Sequence, residues 1–325
     1  MSSSSKWRTV EKALSRVPDF LWLGAIIFTI LGLTAPDTFN ALRPYTSLLL
    51  GSVILAMGLT LRLEDFKRVF MYPKAVGVCI LSQYTVMPLA GFIVGYVLLR
   101  HYEVAWLGGQ VLTGTSPTGV VSNVYTYIGG GNVALSITAS AVNTVLSPLL
   151  TPILTYILAG AFIPVDVVGL FLDIVQVVIV PVVLGLTLNT FFGKYIQRVK
   201  VVLPVWSTIA VVVIVGIVVS GARSRILAMT PVVVVLLVAA SLIHLAAGYV
   251  LGWFYGVVFK QPVENKITIS TETAMQNSGL ATVLALKYWG ATAALPAVVY
   301  SVVQNIIGPF VASLVMRKKL RRLGA

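Results

Sequence analysis

The sequence predicts an all-α polytopic membrane protein with ten transmembrane helices, and three observations carry that prediction. Apolar residues make up 58% of the 325 residues and charged residues only 10%, against about 25% charged in an average soluble domain. The apolar residues fall in runs long enough to cross about 30 Å of hydrocarbon. The 23 Lys and Arg residues gather between those runs and alternate in density from loop to loop, as the positive-inside rule requires.

Residues 1–19 are polar and basic. The first apolar run, 20–35, lacks a small-residue cleavage pattern and is expected to stay as a span rather than to be removed as a signal peptide. Further spans are expected at 45–61, 75–99, 104–128, 132–161, 167–192, 201–220, 230–258, 266–289 and 292–316. With these limits, 18 of the 23 Lys and Arg residues lie on one side, and only Arg43, Arg100, Arg223, Arg225 and Lys287 lie opposite. One missed or invented span would scramble that alternation. Both termini are therefore expected in the cytoplasm. The formal charge of +13 is a topology signal, and no nucleic-acid partner is expected. Oligomeric state leaves no mark on the sequence. Cys79 is the single cysteine, so no intrachain disulfide can form, and His101 and His244 are too few and too far apart for a metal site.

Ten spans divide into two sets of five, residues 1–161 and 162–325, and five being odd, the two halves are expected to be inverted repeats. Corresponding positions then carry corresponding irregularities. The fourth span has Thr113-Gly114-Thr115-Ser116-Pro117-Thr118-Gly119 at its centre, and the ninth has Glu272, Gln276 and Asn277-Ser278-Gly279. Pro117 removes an amide donor and clashes with the preceding turn, while the glycines loosen the backbone. At 1.5 Å per residue, Pro117 lies roughly 16 Å from Trp106 and Gln276 roughly 15 Å from Lys266, so both breaks fall near the midplane. Paired interruptions of this kind point to a transporter's binding site, where freed carbonyls can hold a cation and half-helix amino ends an anion.

Glu272 is the acid placed well inside a span, at a cost of roughly 2.5 to 3.5 kcal/mol on insertion scales. Gln276, four residues on, shares its helical face. Ser136, Ser140 and Thr144 line one face of the fifth span, Ser122 and Asn123 follow the first break, Gln83 stands in the apolar third span, and the tenth offers Ser301, Gln304 and Asn305. Carboxylate, amide, hydroxyl and carbonyl oxygens without thiolates or paired imidazoles suit a hard cation. Sodium and a proton on Glu272 are the two candidates. An intramembrane enzyme is disfavoured, since the chain has no HExxH, no GxSxG and no buried pair of acids. A cation channel lined by the same oxygens is an open alternative.

The stretches TETAMQNSGLA (271–281), SPTGVVSNVYTYIGGGNVALS (116–136), SPLLTP (147–152) and GLTLRLEDFKR (58–68) resemble the bile acid:sodium symporter family, and the likeness extends over nearly the whole chain. The resemblance implies a sodium-coupled symporter importing an organic anion by alternating access. It implies a panel domain of spans 1, 2, 6 and 7, and a core domain of spans 3, 4, 5, 8, 9 and 10 in which the broken spans 4 and 9 cross. It also implies two sodium sites, one of Ser122, Asn123, Ser136, Ser140 and Glu272, the other of Gln83, Glu272, Gln276 and the carbonyls of Thr273 and Met275. Thr118, Gly119, Asn277 and Gln304 are expected to face the substrate. The chain departs from the family pattern at Ser140, where threonine is usual, at Thr118-Gly119-Val120-Val121, where many relatives have Gly-Gly-Thr-Ala, and at Gln304, where histidine is frequent. Substrate identity is therefore the least transferable expectation, the candidates running from bile acids to small carboxylates such as pantoate.

Overall fold

In the computed structural model, which describes residues 21–199 and 201–316, the regular structure is helical throughout. The main helices are α1 (Leu21–Thr34), α2 (Pro36–Gly58), α3 (Pro73–Leu99), α4 (Val104–Thr115), α5 (Val121–Gly129) and α6 (Val133–Ala159). They continue with α7 (Val167–Gln197), α8 (Val202–Gly221), α9 (Pro231–Val258), α10 (Val263–Ala274), α11 (Ser278–Trp289) and α12 (Ala291–Leu314). Seven of these, α2, α3, α6, α7, α8, α9 and α12, are long and apolar enough to cross a membrane. Long apolar side chains of α7, among them Val168, Leu172, Val180 and Val183, point outward, which fits a surface solvated by lipid. The protein is an integral membrane protein.

The expected spans at 104–128 and 266–289 are each two short helices, α4 with α5 and α10 with α11. The cause is the local chemistry foreseen for them. Ser116 takes extended dihedrals (φ −65°, ψ 152°) before Pro117, as a residue preceding proline must. Met275 leaves the helix at φ −87°, ψ 109°, and Asn277 starts the next one by accepting the Leu280 amide at 3.1 Å on its side chain. Asn132 and Asp166 cap α6 and α7 in the same way, from Leu135 N (3.1 Å) and Gly169 N (2.8 Å). α2 begins well before the expected residue 45 because Pro36 fits the first helical turn and Asp37 follows it there. The basic residues expected before 20 and after 316 lie outside the described residues.

Packing brings the two broken regions together. Gly248, Gly252 and Gly256 recur every fourth residue on α9 and face Ala274, Ser270 and Lys266 of α10; Cβ atoms there would lie only 2.7–2.9 Å from their nearest neighbours. This small-residue stripe lets α10 lie directly against α9. Contacts at the molecule's ends also sort by side. At one end Arg223 reaches Leu33 O (2.8 Å), Arg225 pairs with Glu103 (3.3 Å), and Lys287 pairs with Asp173 (2.7 Å). At the other, Asn189 donates to Leu61 O (2.8 Å) and Asn132 to Asn265 (3.0 Å).

Candidate functional site

The two non-helical segments, 116–120 and 275–277, meet as an isolated antiparallel bridge between Thr118 and Gln276. Gly119 N donates to Met275 O (2.9 Å) and Asn277 N to Pro117 O (2.8 Å). Gly119 is required by this approach, since a Cβ on it would lie 2.7 Å from Gln276 O. Buried backbone that leaves a helix must find hydrogen-bond partners, and here neighbouring helices supply them. Thr151 donates to Thr115 O (2.7 Å), Gln83 to Ser116 O (2.9 Å), Thr118 to Glu272 O (3.1 Å) and Tyr300 to Ala274 O (2.7 Å). Gln304 serves both groups of one residue: its Oε1 accepts Gln276 N (2.9 Å) and its Nε2 donates to Gln276 O (3.0 Å).

Beside this bridge stands Glu272, at 0% exposure. Its Oε1 accepts hydroxyl hydrogens from Ser122 (2.6 Å) and Ser136, and its Oε2 from Ser140 (2.8 Å). Asn123 Oδ1 lies 2.7 Å from the Ser136 hydroxyl and closes the group. The three serines come from α5 and α6, whose capped junction at Gly130–Asn132 folds one onto the other. No Lys, Arg or His among the described residues forms an ion pair with Glu272. The polar contacts of the buried acid are serine hydroxyls, with an amide oxygen beside them, and oxygen atoms of this kind are the donor set of a hard monovalent or divalent cation.

On the other side of the bridge, Gln83 and Gln276 form a reciprocal amide pair (2.9 and 3.1 Å), and Gln276 Nε2 also donates to Thr273 O (2.8 Å). Gln83 thus ties α3 to both breaks at once. Met275 O is engaged by Gly119 N. The residues expected to bind cations fall into two groups beside the bridge: the Glu272 carboxylate meets Ser122, Ser136 and Ser140, while Gln83 and Gln276 pair with each other next to Ser116 O and Thr273 O. Thr118 is buried with its hydroxyl on Glu272 O, Asn277 is half-buried at the start of α11, and Gln304 is buried against Gln276 and Ser278. Thr144 only bonds back to Ser140 O (2.8 Å), and Asn305 bonds to Ser301 O (2.7 Å) and Tyr125 (3.2 Å), away from the bridge.

Asn143 escaped the sequence reading. Its Nδ2 donates to Thr118 Oγ1 (2.9 Å), which fixes the Thr118 hydroxyl as donor to Glu272 O, and its buried Oδ1 has no hydrogen-bond partner. Its place three residues after Ser140 and seven after Ser136 puts it on their helical face, which is the signal the sequence offers for it. A second buried pair lies behind α4, where His244 Nδ1 meets Gln110 Nε2 (2.8 Å) and Nε2 meets Met87 O (3.0 Å).

Residues 47–229 match the family described as the Sodium Bile acid symporter family. The chain is 34% identical over 293 residues to YocS of Bacillus subtilis (strain 168), described as an uncharacterized sodium-dependent transporter, with 90% of this chain and 89% of the relative covered. It is 36% identical to the chloroplastic probable sodium/metabolite cotransporter BASS1 of Arabidopsis thaliana, covering 96% and 76%. It is 35% identical to BASS1 of Oryza sativa subsp. japonica, covering 95% and 75%.

Proposed function

The chain belongs to the sodium bile acid symporter family, whose members are transporters and not enzymes, and on that premise we propose that it imports an organic anion together with sodium by alternating access. The observation that carries the reading is Glu272, a carboxylate at 0% exposure held by three serine hydroxyls and, among the described residues, paired with no basic side chain. Hydrogen bonds to a charged group contribute about 1.5 to 3 kcal/mol each, which offsets much of the cost of holding the acid in the membrane. A transported cation supplies the missing charge.

In this reading sodium takes two places. Ser122, Asn123, Ser136, Ser140 and Glu272 form one; Gln83, Glu272, Gln276 and the carbonyls of Thr273 and Met275 form the other. Sodium is cargo, and binding it draws α5, α6 and α10 together around the bridge. The substrate anion sits where Thr118, Gly119, Asn277 and Gln304 meet and the positive ends of α5 and α11 converge. It is a bile-acid-like molecule or a small carboxylate such as pantoate. The first helix and the two interrupted pairs complete ten spans with the seven long helices, in inverted halves 1–161 and 162–325. The panel is then α1, α2, α7 and α8, and the rest is the core, with both termini cytoplasmic in a bacterial-type inner membrane.

The test is uptake of labelled cholate and pantoate into right-side-out vesicles, with and without a sodium gradient at fixed pH. Sodium-driven accumulation of either anion above its equilibrium level is the expected result. Accumulation driven equally well by a pH gradient in sodium-free buffer would transfer the role of Glu272 to a proton carrier, and equilibration without accumulation would favour a channel.

A further inference from the structure

A cavity of the protein lies away from the bridge. It has a volume of about 470 Å³ and lies between α2 and α11, lined by Asn40, Arg43, Thr46, Ser47, Val283 and Lys287 among others. That volume falls within the range of small-molecule sites, about 300 to 1,000 Å³. The lining brings together two of the five basic residues that the sequence assigns to the face away from the cytoplasm. They sit 244 positions apart in the chain, on either side of the proposed boundary between panel and core.

The electrostatics are unequal and informative. Among the described residues Arg43 forms no ion pair, so its guanidinium keeps its five donors for another partner. The Lys287 ammonium meets both oxygens of Asp173 at 2.7 Å, and Tyr288 donates to the same carboxylate at 2.8 Å. Asp173 thereby uses two of the three ammonium donors, which leaves one, and holds the lysine in place at the wall. No acidic side chain lines the cavity, while Asn40, Thr46 and Ser47 add polar groups to it.

The helix that forms one wall of the cavity also begins at the bridge. Val283 and Lys287 lie on the face of α11 that carries Gly279 one turn earlier, and Gly279 packs on Leu50 of α2, whose Cδ1 is 3.6 Å from the glycine's Cβ position. Asn277 is two residues beyond. Counted along α11, Lys287 and Asn277 are separated by about 15 Å, with buried Leu50 packed on the helix between them.

We infer that this cavity is an anion-binding vestibule, in which the carboxylate or sulfonate group of an arriving organic anion is held between Arg43 and Lys287 before it passes Leu50 toward the bridge. The inference rests on the symport reading for the direction of travel and the class of ligand. A lipid headgroup phosphate shares the oxyanion chemistry, and the test separates the two.

Ser47→Cys in a Cys79→Ala background, full-length and reconstituted in phosphatidylcholine vesicles, is labelled in sodium-free buffer with anionic sulfonatoethyl methanethiosulfonate and with neutral methyl methanethiosulfonate. The neutral reagent reports access and folding; the ratio of rates reports the local field. The anionic reagent should react faster, by about tenfold after correction for intrinsic reactivity, because a basic cleft concentrates anions. Arg43→Gln should lower the ratio severalfold, Lys287→Gln in combination should bring it near unity, and cholate or pantoate should slow both reagents. A ratio unmoved by Arg43→Gln, or no protection by either anion, overturns the vestibule. Protection that appears only when phosphatidylglycerol is added to the vesicles, and not with the soluble anions, overturns it in favour of a lipid site. Labelling needs neither sodium nor turnover. Charge-selective labelling in a protein without sodium-driven uptake would sink the symport reading alone, and charge-blind labelling in an active one would sink the vestibule alone.

Discussion

Glu272 makes three hydroxyl contacts that differ in origin, Ser122 from α5 and Ser136 and Ser140 from α6, so its environment can be taken apart one oxygen at a time. Glu272→Gln keeps the shape, removes the charge and turns one acceptor oxygen into a donor facing hydroxyl groups. Sodium-driven uptake is expected to fall by at least about 100-fold, the loss of close to 3 kcal/mol of cation binding, with the purified protein still monodisperse. Retention of wild-type sodium-driven rates in this variant would remove the acid from the coupling mechanism. Ser136→Ala and Ser140→Ala each remove one donor, and the sodium concentration for half-maximal uptake should rise about tenfold for a lost charge-assisted bond. Asn143 acts at one remove, through Thr118. Asn143→Ala is expected to raise the substrate concentration for half-maximal uptake severalfold while leaving the sodium titration near its original midpoint, and a shift in the sodium midpoint alone would show that Asn143 belongs to the cation sites instead.

Two interrupted pairs, α4 with α5 and α10 with α11, are held by side chains from elsewhere, because their facing ends at Thr115, Ser116, Ala274 and Met275 are fully buried and a buried helix end must find its partners in the protein. Gln304 on α12 satisfies both the amide and the carbonyl of Gln276. Gln304→Ala strands both groups at a cost of about 1 to 3 kcal/mol each, and is expected to lower the thermal midpoint of the detergent-solubilised protein and its uptake rate together. An unchanged midpoint would mean that another group takes over those bonds. Close helix approach is the second requirement at this scale. A methyl group at Gly109 of α4 would fall on the carbonyl of Ala293 in α12, so Gly109→Ala should destabilise by about 1 to 3 kcal/mol through overpacking. Thermal unfolding followed by tryptophan fluorescence checks it.

Across the whole molecule, α8 meets α12 at Gly221 and Ala291, where a Cβ on the glycine would lie 2.9 Å from Ala291 Cβ. A small backbone adjustment brings that pair to the roughly 3.5 to 4.5 Å that a disulfide spans. In the rocking mechanism proposed above this contact joins panel to core. Gly221→Cys with Ala291→Cys, in a Cys79→Ala background, should stop uptake on oxidation and recover on reduction. Full uptake by a fully cross-linked protein would show that these two helices do not separate during the cycle. The Lys287–Asp173 pair crosses the same boundary, but with Lys287 about half exposed it contributes at most about 1 kcal/mol and cannot act as a lock by itself.

The sequence by itself determined the membrane class, the limits of most helices and the two places where a helix fails. Those properties are local: an apolar run of span length, a proline after Ser116, an asparagine followed by serine and glycine at 277–279. It also singled out the polar residues around the breaks, since each is costly in an apolar span wherever its partner stands. The tertiary structure decided which of them meet. Ser122 and Glu272 are 150 positions apart, Gln83 and Gln276 are 193, and no periodicity along one helix records a contact of that separation. It placed Asn143 on Thr118 and Thr144 on its own backbone, although both share the α6 face that carries Ser136 and Ser140. It turned Gln304 to the Gln276 backbone and left Asn305, its neighbour, outside. The α2–α11 cavity is the clearest case, since Arg43 and Lys287 read in the sequence only as two of the five basic residues on the sparse side of the charge alternation. Only the packing of one helix against the second half of a broken one sets them on a common wall.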